Sequence, residues 1–238
     1  MMTTQEQRNG LKLSIAIIGF GWILQIVNAA LTHGAAVTFL FPEFSITGNL
    51  PVATIYLIGM SIFTLVLSLW LLRRTGEGMS DLGFVREESG KQFLTGAGFG
   101  LGVFVVNTFL LLPLLGMLMP GDRVTNRELF SNATNICLML FLSVFKGGFM
   151  EEFWRIFVLT RFEKLFGRAG LIVALMVSSV LFGLGHAYQG RAAIIGTAVI
   201  GFINALIFLR KRRALEAVAA HAVFDVVGVV VGAVIYSR

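Results

Sequence analysis

Cysteine and charge are both scarce in this chain, and each shortage excludes a class of protein. The single cysteine, Cys137, excludes an intrachain disulfide and any cysteine-rich zinc site. Only 13% of the 238 residues are charged, about half the roughly 25% usual for soluble domains. In their place, 56% of the residues are hydrophobic, more than a soluble core of this size can bury. The composition therefore predicts an integral membrane protein.

The positive net charge fits the same interpretation. A charge of +6 would suggest a nucleic-acid partner in a soluble protein. Here, however, the basic residues stand in short loops between apolar runs, which is typical of membrane topology. We therefore predict the lipid bilayer as a partner, and no nucleic acid.

Apolar runs long enough to cross a bilayer follow one another along the whole chain. A span needs about 20 mainly apolar residues. The candidate spans are 13–32, 51–72, 93–118, 131–160, 169–187, 192–209 and 214–236. The run 131–160 is too long for one simple span, so it is either a tilted helix or two segments broken at Gly147-Gly148. The predicted fold is an all-α transmembrane helix bundle of seven or eight spans.

Lysine and arginine are unevenly distributed among the loops. The loop 33–50 has neither, and the loop 119–130 balances two arginines, including Arg123, with two acids. With seven crossings, the more basic loops all fall on the N-terminal side, which the positive-inside bias makes cytoplasmic. Eight crossings would place the basic cluster 210–213 outside. We expect a prokaryotic plasma membrane and a cytoplasmic N-terminus.

Four glycines are spaced for close helix packing in the third span. Gly96, Gly98, Gly100 and Gly102 form two interleaved patterns of small residues four apart. Such patterns let membrane helices approach closely. We assign these glycines to packing and to no chemistry.

Ionisable groups within the spans are the strongest functional signal. Each costs roughly 2.5–3.5 kcal/mol on insertion scales, so each is a functional candidate. They cluster in the C-terminal half of the chain: Lys146, Glu151, Glu152, Arg155, His186, Glu216, His221 and Asp225.

Two adjacent carboxylates accompany one arginine in the segment EEFWR at 151–155. Glu151 and Glu152 precede Arg155 by four and three residues, so either can meet it on one helical face. A buried ion pair would need only one of them. The other carboxylate is then free to act as a general base.

Two histidines and a further carboxylate follow on the next apolar segments. His186 ends its span, and His221 precedes Asp225 by four residues on one helical face. Each alone is more simply structural: a satisfied histidine, or a local His–Asp hydrogen bond. Together with the glutamates they form a set that can activate water. The motifs GxSxG, HExxH and the P-loop are missing from the sequence.

These segments resemble the CAAX protease and bacteriocin-processing (CPBP) family of intramembrane proteases. That family's pattern is Glu-Glu-x-x-x-Arg, then Phe-x-x-x-His, then His-x-x-x-Asn or Asp. EEFWR at 151–155, FGLGH at 182–186 and HAVFD at 221–225 follow it in order. The resemblance implies one integral membrane domain, with residues 80–236 as the catalytic core and residues 1–79 as peripheral N-terminal spans.

The first motif departs from the family pattern by one residue. Only two residues separate Glu152 from Arg155, where the family has three. Alignment on the arginine places Glu151 on the family's second glutamate. Alignment on the acids instead displaces the arginine by about 100° round the helix. The identity of the base therefore stays open between Glu151 and Glu152.

The resemblance implies a role for each site residue. Glu151 or Glu152, with His186, would activate a water. His221 and Asp225 would stabilise the oxyanion or, with His186, bind a divalent metal such as zinc; a mechanism without metal is the alternative. Supporting roles fall to Arg155, which would hold the glutamates, and Phe182, which would line the pocket. The implied substrate is a prenylated, leader-bearing or membrane-associated peptide.

The depths of these residues in simple spans do not agree. Glu151 and His221 lie about 12–15 Å from the basic ends of their spans, whereas His186 lies roughly 27 Å from the basic end of its own. They would converge if the helix carrying His186 starts below the membrane plane, or if 187–191 is a break that lines a cavity. We therefore predict a water-filled polar chamber. Two other functions remain open: a non-catalytic immunity or binding protein, and a proton-coupled transporter.

Overall fold

A computed structural model describes residues 3–31, 50–120 and 127–236, and every regular element in these ranges is helical. Six helical runs are long and apolar enough to cross a membrane. They are α1 (Thr4–Leu31), α2 (Leu50–Arg73), α3 (Ser89–Leu118), α4 (Ala133–Leu184), α5 (Arg191–Lys211) and α6 (Ala214–Tyr236). For these residues, the prediction of an all-helical fold with helices able to cross a membrane is therefore confirmed, while the number of crossings stays a prediction.

The run α4 contains two of the predicted spans. Its 52 residues would extend about 78 Å as a straight helix, more than twice the thickness of a hydrocarbon core. The run is divided at Gly167, which has φ 65° and ψ −152°. Glycine alone adopts this backbone conformation readily. The two parts of α4 thus correspond to the predicted spans 131–160 and 169–187.

The glycine pair in α4 does not break the helix. Ser143–Glu151 is instead a continuous π-helical segment that runs directly into α-helix at Glu152. A side chain at Gly148 would overlap the Cβ of Ala222 in α6. The pair therefore permits close approach of α6, and the alternative of two segments broken at Gly147-Gly148 is wrong.

Glycine packing joins α3 to α6, as one of the two small-residue patterns predicts. A Cβ at Gly96 or Gly100 would clash with the carbonyl oxygen of Glu216 or Ala220. Gly98 and Gly102, the other pattern, face open space. Only the first pattern is used for helix contact within the described chain.

The basic loops meet at one end of the bundle. Arg213 binds Glu88 at 2.6 Å, Arg212 binds Glu163 at 2.7 Å, and Arg161 pairs with Glu77. The hydrogen bonds from Arg213 and Lys91 hold the pKa of Glu88 below its usual range. Because these pairs link the loop before α3, the middle of α4 and the α5–α6 turn, those basic segments share one face of the membrane protein. We call this face the basic end.

Which side of the membrane the basic end faces stays a prediction. The residues 33–49 of the first loop, and Arg123 in the loop 119–130, lie outside the described residues.

The hydrophobic core is built around the middle of α4. Phe153, Ile156, Phe157 and Leu159 are fully buried there. The N-terminal helix reaches the same helix, since Trp22 stacks on Phe162 with ring centroids 5.1 Å apart. The core thus fixes α4 immediately beside the two glutamates.

Candidate active site

Glu152 is the buried centre of the polar cluster. Its side chain has no exposed surface. Oε2 accepts from Nε of Arg155 at 3.1 Å, and Oε1 accepts from Nδ1 of His221 at 2.7 Å. Asn204 of α5 also donates to Oε1, at 3.4 Å. Glu152 therefore joins α4, α5 and α6 through one carboxylate.

Arg155 extends the cluster toward the second motif. Its Nη1 donates to the carbonyl oxygen of Gly201 at 2.7 Å, and its guanidinium lies 4.5 Å from the centre of the Phe182 ring. A side chain at Gly201 would clash with both Arg155 and Phe182. Glycine at this position lets α5 approach the two parts of α4 together.

Glu151 faces a different neighbour. Its Oε1 accepts from Nζ of Lys146 at 2.6 Å, and its side chain is 21% exposed. Residues five apart lie about 140° apart round an α-helix, so an α-helical segment would not bring them together. The π-helical segment does so, because its repeat places residues i and i+5 close together.

His221 and Asp225 approach Glu151 from α6. Nε2 of His221 lies 3.5 Å from Oδ2 of Asp225 and 3.7 Å from Oε2 of Glu151. A Cβ at Gly147 would clash with the Asp225 carboxylate. This glycine therefore lets the third motif pack directly against the π-helical segment.

His186 lies at the end of α4, with one ring nitrogen already bonded. Nδ1 lies 2.8 Å from the carbonyl oxygen of Phe182. A carbonyl oxygen only accepts, so we assign the proton to Nδ1, which leaves the Nε2 lone pair available. The chain then leaves the helix through a 3₁₀ turn, Ala187–Gln189, and Gly190 at φ 99°.

Phe182 brings the two histidines together. Its ring centroid lies 4.8 Å from that of His186 and 5.7 Å from that of His221. The residues that simple spans place at different depths therefore converge. The irregular backbone expected at 187–191 is present, while the water-filled chamber stays a prediction.

The structure separates one sequence candidate from this cluster. Glu216 lies at the basic end, where its Oε2 binds Arg210 at 2.6 Å. The other candidates are joined by the hydrogen bonds and ion pairs described above, and His186 joins them through the Phe182 ring. The sequence prediction does not include Asn204, because an amide is not ionisable; its position within the apolar helix α5 was the available signal.

The predicted metal ligands His186, His221 and Asp225 form no preassembled metal site. Among residues 3–31, 50–120 and 127–236, no three His, Cys, Asp or Glu side chains are arranged to hold a metal ion. Both histidines use Nδ1 for the hydrogen bonds described above, which leaves Nε2 of each ring for another partner. Metal-bound histidines make the same kind of Nδ1 bond, so the expectation of a metal stays a prediction.

Comparison with known proteins agrees with the motif resemblance. Residues 133–227 match the family model described as type II CAAX prenyl endopeptidase Rce1-like. No curated protein and no solved structure gave a significant match to the chain. The matched range includes every motif residue from Glu151 to Asp225. Residues 133–227 are therefore similar to the Rce1-like CAAX prenyl endopeptidases, which form a protease family.

Proposed function

We propose that the protein is an intramembrane endopeptidase that hydrolyses a peptide bond near the C-terminus of a prenylated, CAAX-type substrate. The observation that carries the proposal is the bond between Glu152 and His221 at 2.7 Å, which joins the first and third motifs. Phe182 adds the second motif by contacting both histidine rings. The family match supports the reaction class and the prenylated substrate.

Glu151 is the proposed general base. Both oxygens of Glu152 are occupied by Arg155, His221 and Asn204, and its side chain is fully buried. Glu151 is partly exposed, and its Oε2 lies 3.7 Å from His221 without a hydrogen bond. It is thus the carboxylate with an oxygen available to a water molecule.

The proposed reaction uses Glu151 and His186 together. Nε2 of His186 accepts a hydrogen bond from the water, and Glu151 takes a proton as the water oxygen bonds to the carbonyl carbon. The carbonyl oxygen gains negative charge. His221 would stabilise that charge through Nε2–H in its imidazolium form, in which Nδ1–H still donates to Glu152. The carbon–nitrogen bond then breaks, and Glu151 returns the proton to the leaving amine.

Glu152 is proposed to position His221 rather than to react. A carboxylate that accepts from Nδ1 of a histidine fixes the ring's orientation and stabilises its imidazolium form. Arg155 in turn holds Glu152 by a hydrogen bond, and its guanidinium packs on the Phe182 ring. The first motif would thus supply one reacting glutamate and one orienting glutamate.

The test is cleavage of a farnesylated CAAX peptide by detergent-purified protein, followed by mass spectrometry. We expect wild type to release the C-terminal tripeptide. Glu151→Gln should lower the rate by about 10²–10⁴-fold, the usual contribution of a general base. The matched control is Glu163→Gln at the basic end, where Glu163 binds Arg212; its rate should stay within about twofold of wild type, since exposed pairs contribute little.

Three outcomes would contradict the proposal. Equal cleavage by wild type and Glu151→Gln would exclude Glu151 as the base. No cleavage by well-folded wild type would favour the non-catalytic binding protein, and uncoupler-sensitive flux in vesicles would favour the transporter.

A further inference from the structure

Tyr188 lies beside the proposed site but belongs to none of the three motifs. It is part of the 3₁₀ turn Ala187–Gln189 that follows His186. Its ring lies nearly parallel to the His186 ring, with centroids 6.2 Å apart and planes 27° apart. Tyr188 therefore lies beside the imidazole that is proposed to bind the water.

The hydroxyl of Tyr188 can donate a hydrogen bond as well as accept one. Gln189 donates to the phenolic oxygen at 2.9 Å, which occupies a lone pair and leaves the O–H free to donate. Within the described part of the chain, no acceptor takes this proton. A phenol is protonated at neutral pH, so it is available as a hydrogen-bond donor.

The proposed reaction needs such a donor. An oxyanion is stabilised by hydrogen-bond donors fixed where its charge develops. The reaction proposed above assigns one donor to the oxyanion, Nε2–H of His221. A second fixed donor would stabilise the same charge further.

Tyr188 is near enough to the acids to take part. The carboxylates of Glu151 and Asp225 both act on it electrostatically. These are the two acids that flank Nε2 of His221. Tyr188 thus lies within electrostatic range of the acids beside Nε2 of His221.

We propose that Tyr188 is a catalytic residue whose O–H donates a hydrogen bond to the oxygen of the scissile carbonyl as that oxygen becomes an oxyanion. The inference rests on the proposed peptidase function. The tyrosine keeps its proton throughout, and the proton delivered to the leaving amine still comes from Glu151. Gln189 positions the phenol by donating to its oxygen.

The test compares Tyr188→Phe with wild type in the farnesyl-peptide assay. The substitution removes one oxygen and keeps the ring that packs on His186. We expect kcat to fall by about 10²-fold, the usual loss for one oxyanion donor, with KM within about twofold. Affinity for a phosphinate peptide, which mimics the tetrahedral intermediate, should fall similarly, while affinity for the product peptide should not change.

A matched control is Tyr236→Phe. Tyr236 ends α6 and packs on Phe130 and Arg127, away from the cluster. We expect this variant to keep the wild-type kcat and phosphinate affinity.

The outcomes separate this inference from the proposed function. Wild-type cleavage that Tyr188→Phe leaves unchanged would overturn the role of Tyr188 alone. A fall in kcat with unchanged phosphinate affinity would overturn it too, since a structural role would produce that pattern. A wild type that cleaves nothing would overturn the proposed function, and this inference with it.

Discussion

Two neighbouring glutamates have opposite surroundings, and this difference decides their roles. Glu152 is fully buried between Arg155 and His221. Glu151 is 21% exposed and pairs with Lys146, which is 30% exposed. Removal of one partner from a buried ion pair lowers the stability of the protein strongly, whereas an exposed ion pair contributes little to stability. Stability should therefore depend on Glu152, and activity on Glu151.

Glu152→Gln should destabilise the protein by about 3–5 kcal/mol, because it leaves the Arg155 charge buried without its counter-ion. Glu151→Gln should cost about 1 kcal/mol or less. Denaturant unfolding in detergent micelles measures both. A Glu151→Gln variant that is as unstable as Glu152→Gln would contradict the assignment of roles.

The sequence predicts which residues form the candidate site, but not the division of roles between the two glutamates. Motif spacing identified Glu151, Glu152, His186, His221 and Asp225, and the structure brings all five together. The division depends on the partner of each carboxylate. Lys146 becomes a partner only because the backbone is π-helical, and apolar periodicity does not reveal that change of repeat.

The π-helical segment Ser143–Glu151 is the element that positions the site. It turns Lys146 toward Glu151 and places Gly147 against Asp225. Such segments are rare and occur frequently at functional sites. The sequence predicted a helix here and offered a break at the glycines as an alternative. The glycines instead serve contact with α6, which only the tertiary structure shows.

Gly147→Ala should lower kcat/KM by about 10²-fold, since the new methyl group would displace the Asp225 carboxylate from its place beside His221 and Glu151. A displacement of about 1 Å can cost that much. Gly98→Ala is the matched control, because nothing lies within 4 Å of its Cβ position. The farnesyl-peptide assay measures both variants. Wild-type kinetics in Gly147→Ala would show that the contact with α6 does not position the site.

For the whole molecule, composition and span length predict the membrane class and the helical fold. The boundaries of α2, α5 and α6 lie close to the predicted spans because each helix has a polar or glycine-containing flank. The kink of α4 at Gly167 was not predictable, since the lengths of apolar runs indicate where spans end and not the backbone angles of one glycine. The ion pairs at the basic end were likewise not predictable, because they join segments far apart in sequence, such as Arg213 and Glu88.

The proposed reaction relies on the protein's own side chains to activate water. The measurement is the release of the C-terminal tripeptide from a farnesylated CAAX peptide by wild-type protein in liposomes, before and after treatment with a chelator. We predict equal release in both samples, because no three candidate ligands converge in the described residues. Loss of release with the chelator and recovery with zinc would contradict the metal-free mechanism, and no release in either sample would contradict the peptidase itself.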